Sequence, residues 1–142
     1  MVFGNHLTKI LIWILVFIFL LEVAAFYFFL FWRVNWFDMF LHFLGGAWIG
    51  LFTVWFLYFS GIVQNFPKIP RLFIFLTILS AAALAGVLWE FFEFLFDQFV
   101  GRGQVDLFQN GVRDTMSDLF FDLLGGSVVF LMFLNFLKKN EK

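Results

Sequence analysis

The chain has 142 residues, of which 63% are hydrophobic and only 13% are charged, with a net charge of −1. A soluble domain has about 45–50% apolar residues and about 25% charged ones, so this composition argues against a soluble enzyme, a nucleic-acid-binding protein and a disordered chain. The absence of cysteine excludes disulfides, thiol catalysis and iron–sulfur clusters.

Four stretches reach the ~20 apolar residues that a membrane helix requires. They predict an all-α, polytopic membrane protein in which four transmembrane helices form one up-down bundle over residues 1–142. Lys9 and the apolar run after it resemble a signal peptide. The apolar residues continue past Glu22 to Trp32, which favours a retained helix. The predicted spans are about 9–32, 38–63, 71–100 and 115–137.

The basic residues predict how the helices are oriented. In such a bundle one side of the membrane holds six of them, namely Lys9, Lys68, Arg71, Lys138, Lys139 and Lys142, and the other holds Arg33, Arg102 and Arg113. Basic residues are more frequent in cytoplasmic loops. We therefore expect a multi-pass protein of the cell membrane with both termini in the cytoplasm, and Trp32 and Trp36 at the outer interface.

Most of the carboxylates fall near three helix ends that an up-down bundle brings to one membrane face. At 100° per residue each set forms a stripe within about 60–80°, and His42 follows Asp38 by one turn. The remaining faces are rich in Phe, Leu and Val, which suit lipid, so the stripes should face one another. The sets are Asp38 with His42, then Glu90, Glu93 and Asp97, then Asp114, Asp118 and Asp122.

Small residues share these faces and predict close packing in the inner half of the bundle. Gly46 and Gly50 are four residues apart after His42, Gly86 precedes Glu90, and Gly125 follows Asp122. Small residues allow membrane helices to approach closely. We expect tight packing in the inner half and a polar pocket in the outer half.

The predicted pocket has an excess of negative charge. Eight carboxylates, including Asp106, and three arginines fall in the outer half, while an ionised aspartate at a helix centre costs ~2.5–3.5 kcal/mol. Protonation, pairing with arginine or a bound divalent cation would each relieve it. Carboxylates with one imidazole suit Mg²⁺, Mn²⁺, Zn²⁺ or Ca²⁺. The candidate metal ligands are Asp38, His42, Glu90, Glu93 and Asp118, followed by Asp97 and Asp122.

Simpler interpretations of the same residues remain open. The acidic groups could form a solvated network at the helix ends, with Asp114 as an N-cap and His42 hydrogen-bonded to Asp38. Asp106 fits a solvated loop. Glu22 could relay protons or lie neutral against a neighbouring helix.

Three motifs recur at the polar ends of the predicted helices, namely Asp38-x-x-x-His42-Phe43-x-x-Gly46, Trp89-Glu90-Phe91-Phe92-Glu93, and Asp114-Thr115-x-x-Asp118-Leu119 with Gly125 and Gly126. Together they resemble the YjdF-like family of small integral membrane proteins, and more loosely VanZ-like membrane proteins. The resemblance covers about residues 36–128 and implies a membrane fold and a site rather than a particular reaction. The implied site residues are Asp38, His42, Glu90, Glu93, Asp114 and Asp118, while Asp97 and Asp122 fall outside the pattern.

Three functional hypotheses follow. The first is a metal-dependent enzyme acting on a lipid or lipid-linked phosphate, with Glu90 and Asp114 as catalytic groups and Arg102 and Arg113 binding the phosphate. The second is a cation or proton transporter, or a subunit of one, in which a homo-oligomer would complete the path that one chain lacks. The third is a structural or assembly protein of the lipid bilayer.

Overall fold

The computed structural model describes residues 2–34, 36–59, 69–102, 107–108 and 111–140. The expectations for Lys68, Asp106 and Lys142 concern positions outside these residues. Every element within them is helical. The elements are α1 (Val2–Tyr27), α2 (Leu30–Arg33), α3 (Phe37–Val54) followed by a π-helical turn (Trp55–Phe59), α4 (Arg71–Phe99) and α5 (Val112–Asn140).

Four helices of the described chain are long and apolar enough to cross a membrane. They contain the stretches His6–Tyr27, Phe37–Tyr58, Arg71–Phe99 and Val112–Lys139. The predicted class, an all-α helical membrane bundle, is therefore confirmed. Such helices satisfy their backbone hydrogen bonds internally, as the hydrocarbon core of a bilayer requires.

The first predicted segment divides into two helices. Phe29 adopts a left-handed conformation with φ of 59°, and this residue separates α1 from α2. A left-handed residue ends a helix because the following amide no longer points along the helix axis. Glycine usually occupies such a position. The sequence has phenylalanine here and therefore does not predict that the helix ends.

Helices α3 and α5 run parallel and touch through glycine. A Cβ atom on Gly46 would collide with the backbone carbonyl of Asp122, and one on Gly125 would collide with the carbonyl of Phe43. One turn further on, Gly50 faces Gly126. The two backbones are thus in direct contact, which only residues without a side chain permit.

The other two long helices run antiparallel to this pair. On α4, Gly86 lies opposite Asp122, and Ala82 lies opposite Gly126. Helix α1 packs mainly on α3, where the indole Nε1 of Trp48 donates a hydrogen bond to the carbonyl oxygen of Leu11 at 2.8 Å. Helices α3, α4 and α5 therefore form the centre of the bundle, and α1 lies against its side.

The bundle has an apolar half and a polar half. The apolar half contains a cluster of buried residues from α3, its π-helical turn, α4 and α5, namely Val54, Leu57, Ile74, Ile78, Val129 and Phe133. The buried charged residues lie on the other side of the Gly46–Asp122 contact. The division into one tightly packed half and one polar half agrees with the sequence, and which half faces the cytoplasm stays a prediction.

Candidate functional site

The acidic stripes of α4 and α5 face inward. Asp118 is 1% exposed and Glu93 is 2% exposed, while Glu90, Asp97 and Asp122 are also buried. Their neighbours Phe91, Phe94 and Phe120 are exposed on the outer surface, which suits contact with lipid. The spacing that predicted the stripes thus also predicts which faces meet.

His42 of α3 lies at the centre of the cluster. Its Nδ1 atom is 3.1 Å from Oδ2 of Asp122, a hydrogen bond in which the ring N–H donates to the carboxylate. Its Nε2 atom is 3.9 Å from Oδ1 of Asp38 and 3.9 Å from Oε1 of Glu90, beyond hydrogen-bond length. With the proton on Nδ1, the lone pair of Nε2 faces these two carboxylates.

His42 and Asp118 each bury a polar atom that makes no hydrogen bond to a described residue. Within the described part of the chain, Nε2 of His42 and Oδ1 of Asp118 have no donor or acceptor in reach. Buried polar atoms are nearly always paired, and an exception calls for a physical explanation such as an unseen ion. Both atoms belong to residues that the sequence predicts as metal ligands.

Among the described residues, the ligand atoms converge in three overlapping groups. In each group a nitrogen or oxygen atom from every member lies within 4.8 Å of the others. All six contributing residues belong to the motifs on which the family resemblance rests. The groups are Asp38, His42 and Glu93; His42, Glu90 and Asp118; and Asp38, Asp114 and Asp118.

Arginine does not neutralise this cluster. The side chains of Arg33, Arg102 and Arg113 are exposed, and among the described residues none forms an ion pair with a carboxylate of the cluster. Of the three sources of compensation expected from the sequence, pairing with arginine is therefore not observed. Arg102 and Arg113 flank the loop between α4 and α5, at the polar end of the bundle, and their predicted role in anion binding stays a prediction.

Asp97 and Asp122 differ from the other acidic residues. Both oxygens of Asp97 accept a hydrogen bond from the backbone N–H of Phe108, at 3.2 and 3.3 Å, so Asp97 holds the loop between α4 and α5. Asp122 instead orients His42. Neither residue belongs to the three groups of converging ligand atoms found in the described chain. The structure thus gives each of them a contact other than metal ligation.

An aromatic cluster lies at the polar end of the bundle, around the residue that Asp97 holds. The ring of Phe108 stacks on Phe26 of α1 at 5.8 Å and packs edge-on against Phe31 and Phe96 at 5.6 and 5.1 Å. These four rings join α1, α2, α4 and the loop held by Asp97. They add apolar surface to the polar end of the bundle.

A cavity of about 300 Å³ adjoins the cluster between α1, α3 and α4. Its polar wall consists of Glu22, Asp38, His42 and Asp122. Glu22 lies outside the site expected from the sequence, which gives no partner for a single glutamate on α1. Its depth in the bundle could have located it. Glu22 precedes Phe26 by one helical turn and His42 follows Asp38 by one turn, so both lie one turn further from the polar end.

Trp89 connects the cavity to the cluster. It lines the cavity, and its indole Nε1 donates a hydrogen bond of 2.9 Å to Oε1 of Glu93. Gly86 is one turn earlier on α4, where a Cβ would collide with Oδ2 of Asp122. Helix α4 thus positions two carboxylates. Trp89 holds Glu93 by a hydrogen bond, and Gly86 leaves space for Asp122.

Fold and site together define a helical, multi-pass membrane protein with a buried carboxylate–histidine cluster. The family model described as "Predicted membrane protein (DUF2238)" matches residues 4–139, and the chain belongs to this family. This membership agrees with the resemblance to YjdF-like membrane proteins. No curated protein and no solved structure shows a significant match to the chain.

Proposed function

We propose that this membrane protein binds a divalent cation between His42 and the surrounding carboxylates. The supporting observation is the buried Nε2 atom of His42, which faces Asp38 and Glu90 at 3.9 Å and makes no hydrogen bond to a described residue. A lone pair and two carboxylates around one point repel each other unless a positive charge lies between them.

The distances favour this proposal. Two ligands at about 2.1 Å from a tetrahedral ion lie about 3.4 Å apart, so the observed 3.9 Å needs only a small contraction of the side chains. Metal-binding histidines usually donate their second ring N–H to a carboxylate, which fixes the tautomer. Asp122 supplies that partner to His42.

The donor set narrows the choice of ion. Imidazole suits Zn²⁺ and other transition metals, whereas carboxylates suit Mg²⁺, Ca²⁺ and Mn²⁺. Zn²⁺ and Mn²⁺ both accept a ligand set of one imidazole and several carboxylates. We therefore expect these two ions to bind more tightly than Mg²⁺ or Ca²⁺.

The chemistry that we propose for this ion is a reaction on a lipid or lipid-linked phosphate. A bound divalent ion would polarise a phosphoryl oxygen or activate water, with Glu90 among its ligands and Asp114 as general base. Arg102 and Arg113, which are exposed at the same end of the bundle, would attract the phosphate. The roles of these four residues rest on their position and chemistry.

Transport by a single chain is less well supported. The buried cluster of Val54, Leu57, Ile74, Ile78, Val129 and Phe133 fills the other half of the bundle with apolar side chains. An ion crossing the membrane needs polar groups along its path. A transporter would therefore need a second chain, and flux of Mn²⁺ or Zn²⁺ into proteoliposomes containing the purified protein would support that alternative.

The proposal is tested by thermal unfolding of the purified protein in detergent, with added Zn²⁺ or Mn²⁺ and with a chelator. A ligand present at 100 times its Kd stabilises the folded state by about 2.7 kcal/mol, so each ion should raise the Tm of the wild type. The double variant Glu90→Gln with Asp118→Asn should lose this response.

Asp97→Asn serves as the control. It removes a buried carboxylate that belongs to none of the three ligand groups in the described chain, so it should keep the response to cations. The same response in the wild type and the double variant, or no response in either, would contradict the proposal.

A further inference from the structure

We propose that the cavity beside the cluster holds the alkyl chain of a single-chain lipid phosphate, which reaches the site from the bilayer between α1 and α4. This inference rests on the proposed function, because the phosphate would bind the cation held at His42. Beyond the proposed function, it states which part of the protein binds the alkyl chain and by which route the ligand enters.

The walls of the cavity match an amphiphile. One side carries Glu22, Asp38, His42 and Asp122, and the rest is predominantly apolar. A binding site lined mainly by hydrophobic side chains, with a few polar groups together at one point, is typical of ligands with an apolar body. The apolar lining comes largely from Leu15, Ile18, Phe19, Leu41, Trp48 and Ile49.

The volume of the cavity indicates that the ligand has one alkyl chain rather than two. A cavity of about 300 Å³ has room for about ten groups the size of a water molecule, at ~30 Å³ each. An alkyl segment of about ten carbon atoms fills this space. A phospholipid with two acyl chains would leave most of its apolar surface outside.

The packing of α1 leaves an opening toward the bilayer. Among the described residues of α1, only Leu11 and Ala25 are buried, and the wall residues Leu15, Ile18, Phe19 and Glu22 lie between them. The main contacts of α1 are with α3, so its edge next to α4 is not closed by helix packing. Trp89, at that edge, is 40% exposed.

The polar end of the bundle carries an aromatic cluster. The rings of Phe26, Phe31, Phe96 and Phe108 pack together there, and Asp97 holds the backbone of Phe108. A ligand with an alkyl chain can reach the cavity without passing these rings, by moving within the bilayer. The lateral opening therefore suits a lipid better than a soluble phosphate.

The headgroup follows from the charges. Without a cation the carboxylates would repel a phosphate. When a cation is bound and the protein fills only some of its coordination positions, a phosphate oxygen can fill another. Binding of a lipid phosphate should thus require the cation. An amine headgroup would show the opposite behaviour, because it would compete with the cation for the same carboxylates.

The test uses quenching of tryptophan fluorescence by a dodecyl phosphate that carries bromine on its chain. Two variants keep one of the six tryptophans and have phenylalanine at the other five. One keeps Trp89, which lines the cavity, and the other keeps Trp13, which is 71% exposed. With Zn²⁺ in non-ionic micelles, quenching of Trp89 should be saturable and at least tenfold weaker in EDTA, whereas quenching of Trp13 should not saturate.

A second measurement leaves the native tryptophans in place. Ile18→Trp should fill the cavity and abolish the rise in Tm that dodecyl phosphate causes, while Phe17→Trp on the exposed side of the same helix should preserve it. Inorganic phosphate should cause at least a tenfold smaller rise at the same concentration. An equal effect of inorganic phosphate would contradict a site for the alkyl chain.

The remaining outcomes separate the two proposals. Equal, non-saturable quenching of Trp89 and Trp13 would overturn the lipid phosphate. So would saturable quenching by the bromododecyl trimethylammonium analogue that becomes stronger in EDTA. If Zn²⁺ still raises the Tm in either case, only this inference fails. If Zn²⁺ has no effect on the Tm, the proposed cation site fails as well.

Discussion

The imidazole Nδ1 of His42 lies 3.1 Å from Oδ2 of Asp122, although the two residues are eighty positions apart. The same pair of helices is in backbone contact one turn away, where Gly46 faces the carbonyl of Asp122. The packing of α3 on α5 therefore fixes both the position of the ring and the direction of its second nitrogen. Helix packing and the chemistry of the site depend on the same residues.

Replacement of His42 should remove cation binding. His42→Gln deletes the nitrogen that faces Asp38 and Glu90, so the affinity for Zn²⁺ should fall at least a hundredfold, about 3 kcal/mol in binding free energy. Isothermal titration calorimetry of the purified protein measures this change. His6→Gln alters the only other histidine, which is exposed on α1, and should bind Zn²⁺ as the wild type does. A smaller loss than tenfold for His42→Gln would exclude it as a ligand.

Asp122 should act through His42 rather than as a ligand. Asp122→Asn keeps an oxygen that can accept the hydrogen bond from Nδ1 but loses the charge, and loss of such partners typically lowers metal affinity 10–100-fold. Titration with Zn²⁺ should give a decrease in that range and the same number of ions per chain. An unchanged affinity would show that the orientation of His42 does not depend on this carboxylate.

Adjacent glycines on α3 should respond differently to alanine. In Gly46→Ala the new Cβ would collide with the backbone of α5, and overpacking of this kind costs about 1–3 kcal/mol. In Gly45→Ala the nearest described atom, apart from the chain neighbours and the backbone of α3 itself, is Oδ1 of Asp122 at 3.9 Å. Alanine should therefore be tolerated and could stabilise the helix by up to about 1 kcal/mol. The Tm in detergent should fall for Gly46→Ala alone. Equal effects of the two substitutions would contradict the backbone contact.

Both termini should lie in the cytoplasm, as the distribution of basic residues indicates. The chain has no cysteine, so single cysteines can be labelled without background. Arg102→Cys, in the exposed turn after α4, should react with a membrane-impermeant maleimide in intact cells, and Lys139→Cys near the end of α5 should react only after lysis. The reverse pattern would invert the orientation and leave the site unchanged.

The sequence predicts the convergence of the carboxylates because it depends only on counting spans and on helical spacing. Glu90 and Glu93 share one face of α4, Asp118 shares a face with Asp122 on α5, and an up-down bundle brings these faces to one end. The glycine positions predict close packing for the same reason. These inferences need no knowledge of individual side-chain conformations.

Other features depend on tertiary contacts that spacing does not reveal. The hydrogen bond from Trp48 to Leu11 and the position of Glu22 beside the cavity depend on how α1 lies on α3, and the break at Phe29 has no signal in the spacing. Asp97 and Asp122 share the stripes of the other acids, yet one holds Phe108 and the other holds His42. Periodicity gives the face of a residue but not its partner.

Elemental analysis of the purified wild-type protein tests the central proposal most directly. The protein should contain about one zinc or manganese ion per chain after extensive dialysis, and the double variant Glu90→Gln with Asp118→Asn, purified in parallel, should contain less than a tenth of that amount. A folded wild-type protein that contains no divalent ion, and that acquires none when Zn²⁺ or Mn²⁺ is added, would contradict the cation site.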